Sequence, residues 1–190
     1  MKLRFIFAVL AAAMSWGAQA GQAAPNLEES RKTAQEFIQK FSDALKQKTH
    51  EGGTEAAMEV CKTMVPAMEA QYSKDGRVLR RVSDKLRNQG RATPDDWETR
   101  MLGRADLALQ NGLSPSTIEF SETRDESDGH WFRYFKAIPV QPMCLQCHGQ
   151  SYQIPDDIKA RLAHDYPDDK ATGYSAGALI GGVSIKTKLN

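Results

Sequence analysis

Residues Cys144-Leu145-Gln146-Cys147-His148 carry the sharpest chemical signal in this 190-residue chain. They form a C-x-x-C-H run, the pattern by which a c-type haem is attached. On one helical turn, positions i, i+3 and i+4 share a face, so two thiols and an imidazole point the same way. The thiols of Cys144 and Cys147 can add to the two vinyl groups of a porphyrin while His148 reaches its iron from the same side. A thioredoxin-like redox pair would need a βαβ context that the sequence does not display. Structural zinc would need a second ligand pair, and a Cys144–Cys147 disulfide is the plainest alternative.

If His148 takes one axial position, the residue opposite decides between electron transfer, sensing and catalysis. Met58, Met64, Met68, Met101 and Met143 are available, although methionines at helical spacing commonly fill cores. His50, His130 and His164 fall near expected element ends, where a solvated role is ordinary. Cys61 is the odd thiol of three. It lies on the apolar face of an expected helix, and ferric iron would favour its thiolate. An inert buried thiol fits the same position, and composition and periodicity leave both readings open.

The elements that must position these groups follow from patterning. Ala34, Phe37, Ile38, Phe41 and Leu45 make one stripe of an amphipathic helix over residues 27–48, which Glu51-Gly52-Gly53 ends. Ala57, Cys61, Met64, Met68 and Tyr72 mark a second helix over 54–72, where Pro66 imposes a kink. Residues 77–90 read as a basic strand or loop. Thr93-Pro94-Asp95-Asp96 then supplies an N-cap, a proline at the first helical position and first-turn acids, so a third helix starts near Pro94 and ends by Asn111-Gly112. Residues 117–123 and 130–140 form a predicted hairpin around 125–129, and 178–189 a last strand. Helices early and antiparallel strands late, with the haem motif between strands, give an α+β class. Within the last strand, Gly181-Gly182 allow close approach of a cofactor or another backbone, or mark a bulge.

Lys2 and Arg4 precede an apolar run closed by Ala18 and Ala20, the layout of a secretory signal over residues 1–20. Residues 21–190 then form one domain, exported to the periplasm, with no later stretch able to span a bilayer. Removing residues 1–20 takes two of the 25 basic residues and leaves 23 against 24 acids, a balance that argues against nucleic acid as a partner.

Five stretches, EVCKTMVP (59–66), RRVSDKLRN (80–88), TPDDWE (93–98), CLQCHG (144–149) and YPDDKATGYSAGALIGGVS (166–184), occur in an order that resembles a family of bacterial c-type haem proteins with a PAS-like domain, sensor-like and with histidine and cysteine axial ligands. The resemblance implies one covalent haem c on Cys144 and Cys147, its iron held by His148 proximally and Cys61 distally. It also implies a PAS-like antiparallel sheet flanked by helices and preceded by long N-terminal helices. Gln89, where the pattern has proline, and the RAT after Gly90 depart from it. The basic residues Arg80, Arg81, Lys85 and Arg87 could neutralise haem propionates, or simply form a solvated face.

Three functions fit. The first is a redox- or ligand-responsive haem sensor, addressed by a diatomic gas or a change of oxidation state and read by a separate signalling partner. The second is a one-electron carrier serving a redox partner. The third is a peroxidase-like enzyme, which would require an open distal site with an acid/base group. The expectation is a non-enzymatic module.

Overall fold

A computed structural model describes residues 20–189, with side-chain environments from residue 26 onward. The expected export segment, apart from Ala20, lies outside the described residues.

Helix α1 runs from Ala20 to Glu59 and is kinked where Gly52 (φ −151°) and Gly53 (φ 70°) leave helical geometry. The glycine pair thus breaks the helix as expected, but the chain resumes helical form at once instead of looping away. A π-helical turn, Val60–Met64, follows and leads into α2, Val65–Tyr72. Pro66 has no N–H for the carbonyl of Lys62, and its ring would crowd that carbonyl. The backbone widens, and the N–H of Val65 reaches back to the carbonyl of Val60. The expected kink is therefore a π turn, and Cys61 sits in it.

Strands β1 (Arg77–Val82), β2 (Glu119–Glu126), β3 (Gly129–Pro139) and β4 (Leu179–Lys188) form one antiparallel sheet in the order β1-β4-β3-β2. The β2–β3 hairpin is tighter than its sequence suggested, because Glu126 pairs with Gly129 and leaves only Ser127 and Asp128 in the turn. Alternation along β3 sends Phe132, Tyr134 and Ile138 to one face, where Ala34 and Phe37 of α1 and Val65 and Tyr72 of α2 meet them. Phe135 and Ala137 go to the other face. There they meet Trp97, Met101, Leu102 and Ala105 of α4, Asp96–Gln110. Each large apolar side chain buried this way contributes about 1.5–3 kcal/mol.

Two boundaries differ from the sequence reading. Residues 77–90 divide into β1, a bend and the start of α3, a single helical turn at Gln89–Ala92. The N-cap of α4 is Asp95 and not Thr93, so Pro94 stands outside the helix. Asp95 Oδ1 accepts from the N–H of Glu98 at 2.8 Å, and Glu98 Oε2 accepts from the N–H of Asp95 at 2.8 Å. That reciprocal pair satisfies two otherwise orphaned donors, and Thr93 has no equivalent partner three residues on.

Gly181 (φ 148°) lies beside the register shift at Ile138 and Pro139, and a Cβ there would run into the carbonyl of Val82. At Gly182 a Cβ would enter the ring of Phe135. The close approach is thus to backbone and an aromatic ring, at a bulge.

The connection from β3 to β4 carries the C-x-x-C-H residues. It holds a 3₁₀ turn at Pro142–Cys144, then α5, Leu145–His148, then α6, Asp156–Asp165. The N–H of Val140 bonds the carbonyl of Ala178 at 2.8 Å, and the N–H of Tyr174 bonds that of His148 at 3.0 Å. The insertion is therefore closed at its base and tied across its middle. No helix among the described residues is long and apolar enough to cross a membrane.

Candidate functional site

The α5 turn brings Cys144, Cys147 and His148 to the wall of one cavity, and Cys61 stands on the same wall. Phe41 and Leu45 from α1, Ile138 from β3, Leu162 from α6 and Ile180 from β4 make much of the rest apolar. A second recess shares Cys61, Arg81, Arg87, His148 and Tyr166, and opens past Lys62, Glu69, Lys85 and Arg91. A largely apolar lining with a few convergent polar groups is the common make-up of a ligand site. Its inner wall is apolar and its mouth basic.

All three cysteines are free thiols. Burial pushes the Cys144 thiol up from its ordinary value and that of Cys147 up to about 11, so both are held as neutral S–H groups. His148 is set by its neighbours more firmly. Its Nδ1 lies 2.6 Å from the carbonyl of Ala171, which can only accept, so Nδ1 carries the proton and Nε2 keeps its lone pair. Burial, followed by the charge of Arg87, pushes the imidazole down to about 3, and the ring is neutral at physiological pH. A neutral ring with one nitrogen fixed by a carbonyl is the form in which histidine binds a metal.

The basic residues divide. Arg80 does not face the cavity: it donates to the carbonyl of Thr93 and, at 2.9 Å, to Glu98 Oε2 beneath α4. Arg81 lines both recesses and covers the ring of Phe41 at 4.7 Å. Lys85 borders the mouth with its ammonium 4.7 Å from the centre of the Tyr174 ring. Arg87 is largely committed: Nη2 donates to the carbonyl of Cys147 at 2.6 Å, and Nε to Asp169 Oδ2 at 3.0 Å. Its Nη1 lies 3.4 Å from Nε2 of His148.

Of the other candidate ligands, only Met58 and Met143 line the cavity. Met101 is buried under α4, Met68 packs on the sheet core and Met64 is exposed. His50, His130 and His164 are absent from the lining of both recesses. His50 is exposed on α1, while His130 pairs with Asp125 and His164 with Asp165. Among the described residues no three His, Cys, Asp or Glu side chains converge as a metal-ion site.

Four residues of the site went unassigned in the sequence: Tyr166, which faces both recesses, Asp169, Ala171 and Tyr174. Tyr174 meets the His148 ring edge-on with centroids 6.3 Å apart. All four lie in the 166–184 stretch, but no periodicity marks a backbone carbonyl as an acceptor.

The site thus belongs to an α+β domain whose last crossover carries a C-x-x-C-H turn with a neutral, carbonyl-fixed histidine. The chain belongs to the Tll0287-like family, which it matches over residues 18–187. Its fold is similar to that in the crystal structure of the cyanobacterial heme-protein Tll0287, with a TM-score of 0.58 and 24% identity over 85% of this chain and 96% of that one. No curated protein matches the sequence.

Proposed function

We propose that this chain is an exported, periplasmic monohaem c-type protein with a PAS-like domain, acting as a redox- or ligand-responsive module. The observation that carries the reading is the shared cavity wall: Cys144, Cys147, His148 and Cys61 border one largely apolar space, with Nε2 the unprotonated nitrogen of His148. Membership of a family with a heme-protein among its solved structures supports it.

In this reading Cys144 and Cys147 each add sulfur and hydrogen across a vinyl double bond and anchor the group as two thioethers. His148 binds the iron proximally through Nε2, and Cys61 binds distally as thiolate. The apolar wall excludes water, and Arg81 and Lys85 at the basic mouth balance propionates. A haem held there supplies a one-electron couple whose ferric state favours thiolate more than its ferrous state does. Cys61 stands in a π turn, a wound segment with a ready α-helical alternative, so release of its sulfur is coupled to a shift of that turn. A separate protein would read the shift. With two protein ligands closing the coordination sphere, one-electron transfer to a redox partner is the second reading. No second histidine lines either recess among the described residues, and Glu69 at the mouth accepts from the N–H of Arg81, so no observation favours the peroxidase-like reading.

The test is protein matured with a c-type haem attachment system. Mass spectrometry of the intact chain should give one haem per polypeptide, lost in the Cys144→Ala/Cys147→Ala double variant. A colourless wild-type protein with unmodified cysteines ends the proposal.

A further inference from the structure

Around His148 lies a closed ring of hydrogen bonds that ties it and the carbonyl of Cys147 to Asp169, Ala171 and Arg87. Asp169 Oδ1 accepts from the N–H of Ala171 at 2.8 Å, and the carbonyl of Ala171 accepts from Nδ1 of His148 at 2.6 Å. The other oxygen of Asp169 takes the Arg87 guanidinium, at 3.0 Å from Nε and 2.9 Å from Nη2. Arg87 Nη2 then returns to the carbonyl of Cys147 at 2.6 Å, the residue just before His148. Both charged side chains are nearly enclosed, at 13% and 10% exposure, so the pair acts with little screening from solvent. Removing either partner would leave the other as a partly buried, uncompensated charge beside the imidazole.

We infer that Asp169 and Arg87 are positioning residues for His148: one carboxylate fixes the carbonyl that orients the ring, and its guanidinium partner fixes the peptide from which the ring springs. The inference rests on the haem reading and deepens it, because the two residues carry opposite charges next to the proposed proximal ligand. Outer partners of a metal-bound histidine set both its orientation and its electron donation. Negative charge near an iron favours the more positive ferric state, and positive charge favours the ferrous state. Asp169 therefore lowers the reduction potential and Arg87 raises it, in near balance.

Arg87 also has a second position to account for. Its Nη1 touches the lone-pair side of His148 at 3.4 Å, the side that iron would use. Nε and Nη2 hold Asp169 and the carbonyl of Cys147, and Nη2 also lies 3.4 Å from the carbonyl of Ala171. The three nitrogens form one planar fork, so a metal on Nε2 would require the group to pivot about its Asp169 pair.

The experiment is spectroelectrochemistry with EPR on matured wild type, Asp169→Asn, Arg87→Gln and Arg87→Lys. Asp169→Asn should shift the midpoint potential upward and Arg87→Gln downward, with one haem retained per chain and changed EPR g values in both. Arg87→Lys keeps the charge and should lie closer to wild type than Arg87→Gln. A purely structural role would move both charge-removing variants the same way, or neither, and that result overturns the inference. Should Asp169→Asn fail to mature, the comparison of Arg87→Gln with Arg87→Lys decides: a lower potential for Gln supports the inference, equal potentials overturn it. Wild type without covalent haem would instead defeat the underlying haem reading, a separate outcome.

Discussion

His148 gives its Nδ1 proton to the carbonyl of Ala171 across 2.6 Å and 23 residues of sequence. That bond fixes the tautomer, because a carbonyl oxygen has no proton to offer in return. It therefore decides which nitrogen faces the cavity. The C-x-x-C-H turn supplies a histidine, and the loop from Asp169 to Tyr174 fixes which of its nitrogens carries the proton.

Cys61 borders the same cavity from a different element, the π turn before α2. If the proposed thioethers are at Cys144 and Cys147, Cys61→Ser should keep covalent haem at one per chain while the ferric absorption and EPR signatures change. Spectra identical to wild type would remove Cys61 as a ligand and leave Met58 and Met143 as the cavity-lining alternatives.

Gly181 and Gly182 should tolerate no side chain. At Gly181, φ of 148° and the nearby Val82 carbonyl both oppose a Cβ. At Gly182, the Phe135 ring fills the space. Alanine at either position is expected to cost about 1–3 kcal/mol, by backbone strain in the first case and overpacking in the second. Urea unfolding of each variant measures this, and an unchanged midpoint would contradict the packing described for β4.

Asp95 joins two structures, the capping box of α4 and an ion pair with Arg133 Nη2 at 2.7 Å. Asp95→Ala should lower stability by about 1–2 kcal/mol, in the range for a lost N-cap. Asp95→Asn, which can still cap, should lose less. Thr93→Ala should leave α4 unaffected. Thermal unfolding of the three variants distinguishes Asp95 from Thr93 as the cap.

Acid should unfold the protein through its paired carboxylates. Burial by itself pushes the carboxyls of Asp95, Glu119 and Glu126 up. Their hydrogen bonds and cationic neighbours outweigh that: the Glu98 N–H and Arg133 at Asp95, Arg31 and Tyr134 at Glu119, Lys186 and Arg133 at Glu126. All three end below their ordinary values. A carboxyl depressed in the fold contributes stability that is complete above its unfolded pKa and is lost as pH falls through its folded pKa. Stability should therefore be level from neutral pH to about 5 and decline below about 4. Denaturant midpoints across that window check the sign; a rise in stability on acidification would refute it.

Much of the scaffold was legible because its causes are local. Gly52-Gly53 breaks α1 wherever it stands, Pro66 distorts the helix around Cys61, and alternation along residues 130–140 marks a strand with two buried faces. Errors arose where two local signals competed. Thr93-Pro94 and Asp95 both look like a helix start, and the reciprocal bond from Glu98 selects Asp95. The carboxylates, serine and glycine at 125–129 suggested a loop, yet cross-strand pairing carries the ladder through to Glu126 and Gly129.

The sequence by itself determined the α+β class, the position of the helical breaks and the face shared by Cys144, Cys147 and His148, because each depends on spacing within a turn or on the period of one element. Only the tertiary structure decided that Arg80 faces α4 while Arg81 faces the cavity, that Asp169 and Arg87 enclose His148, and that Cys61 borders the same space. Those relationships join residues distant in sequence, 82 positions apart for Arg87 and Asp169. Their cause is the path of the β3–β4 crossover over the sheet, which no local periodicity encodes.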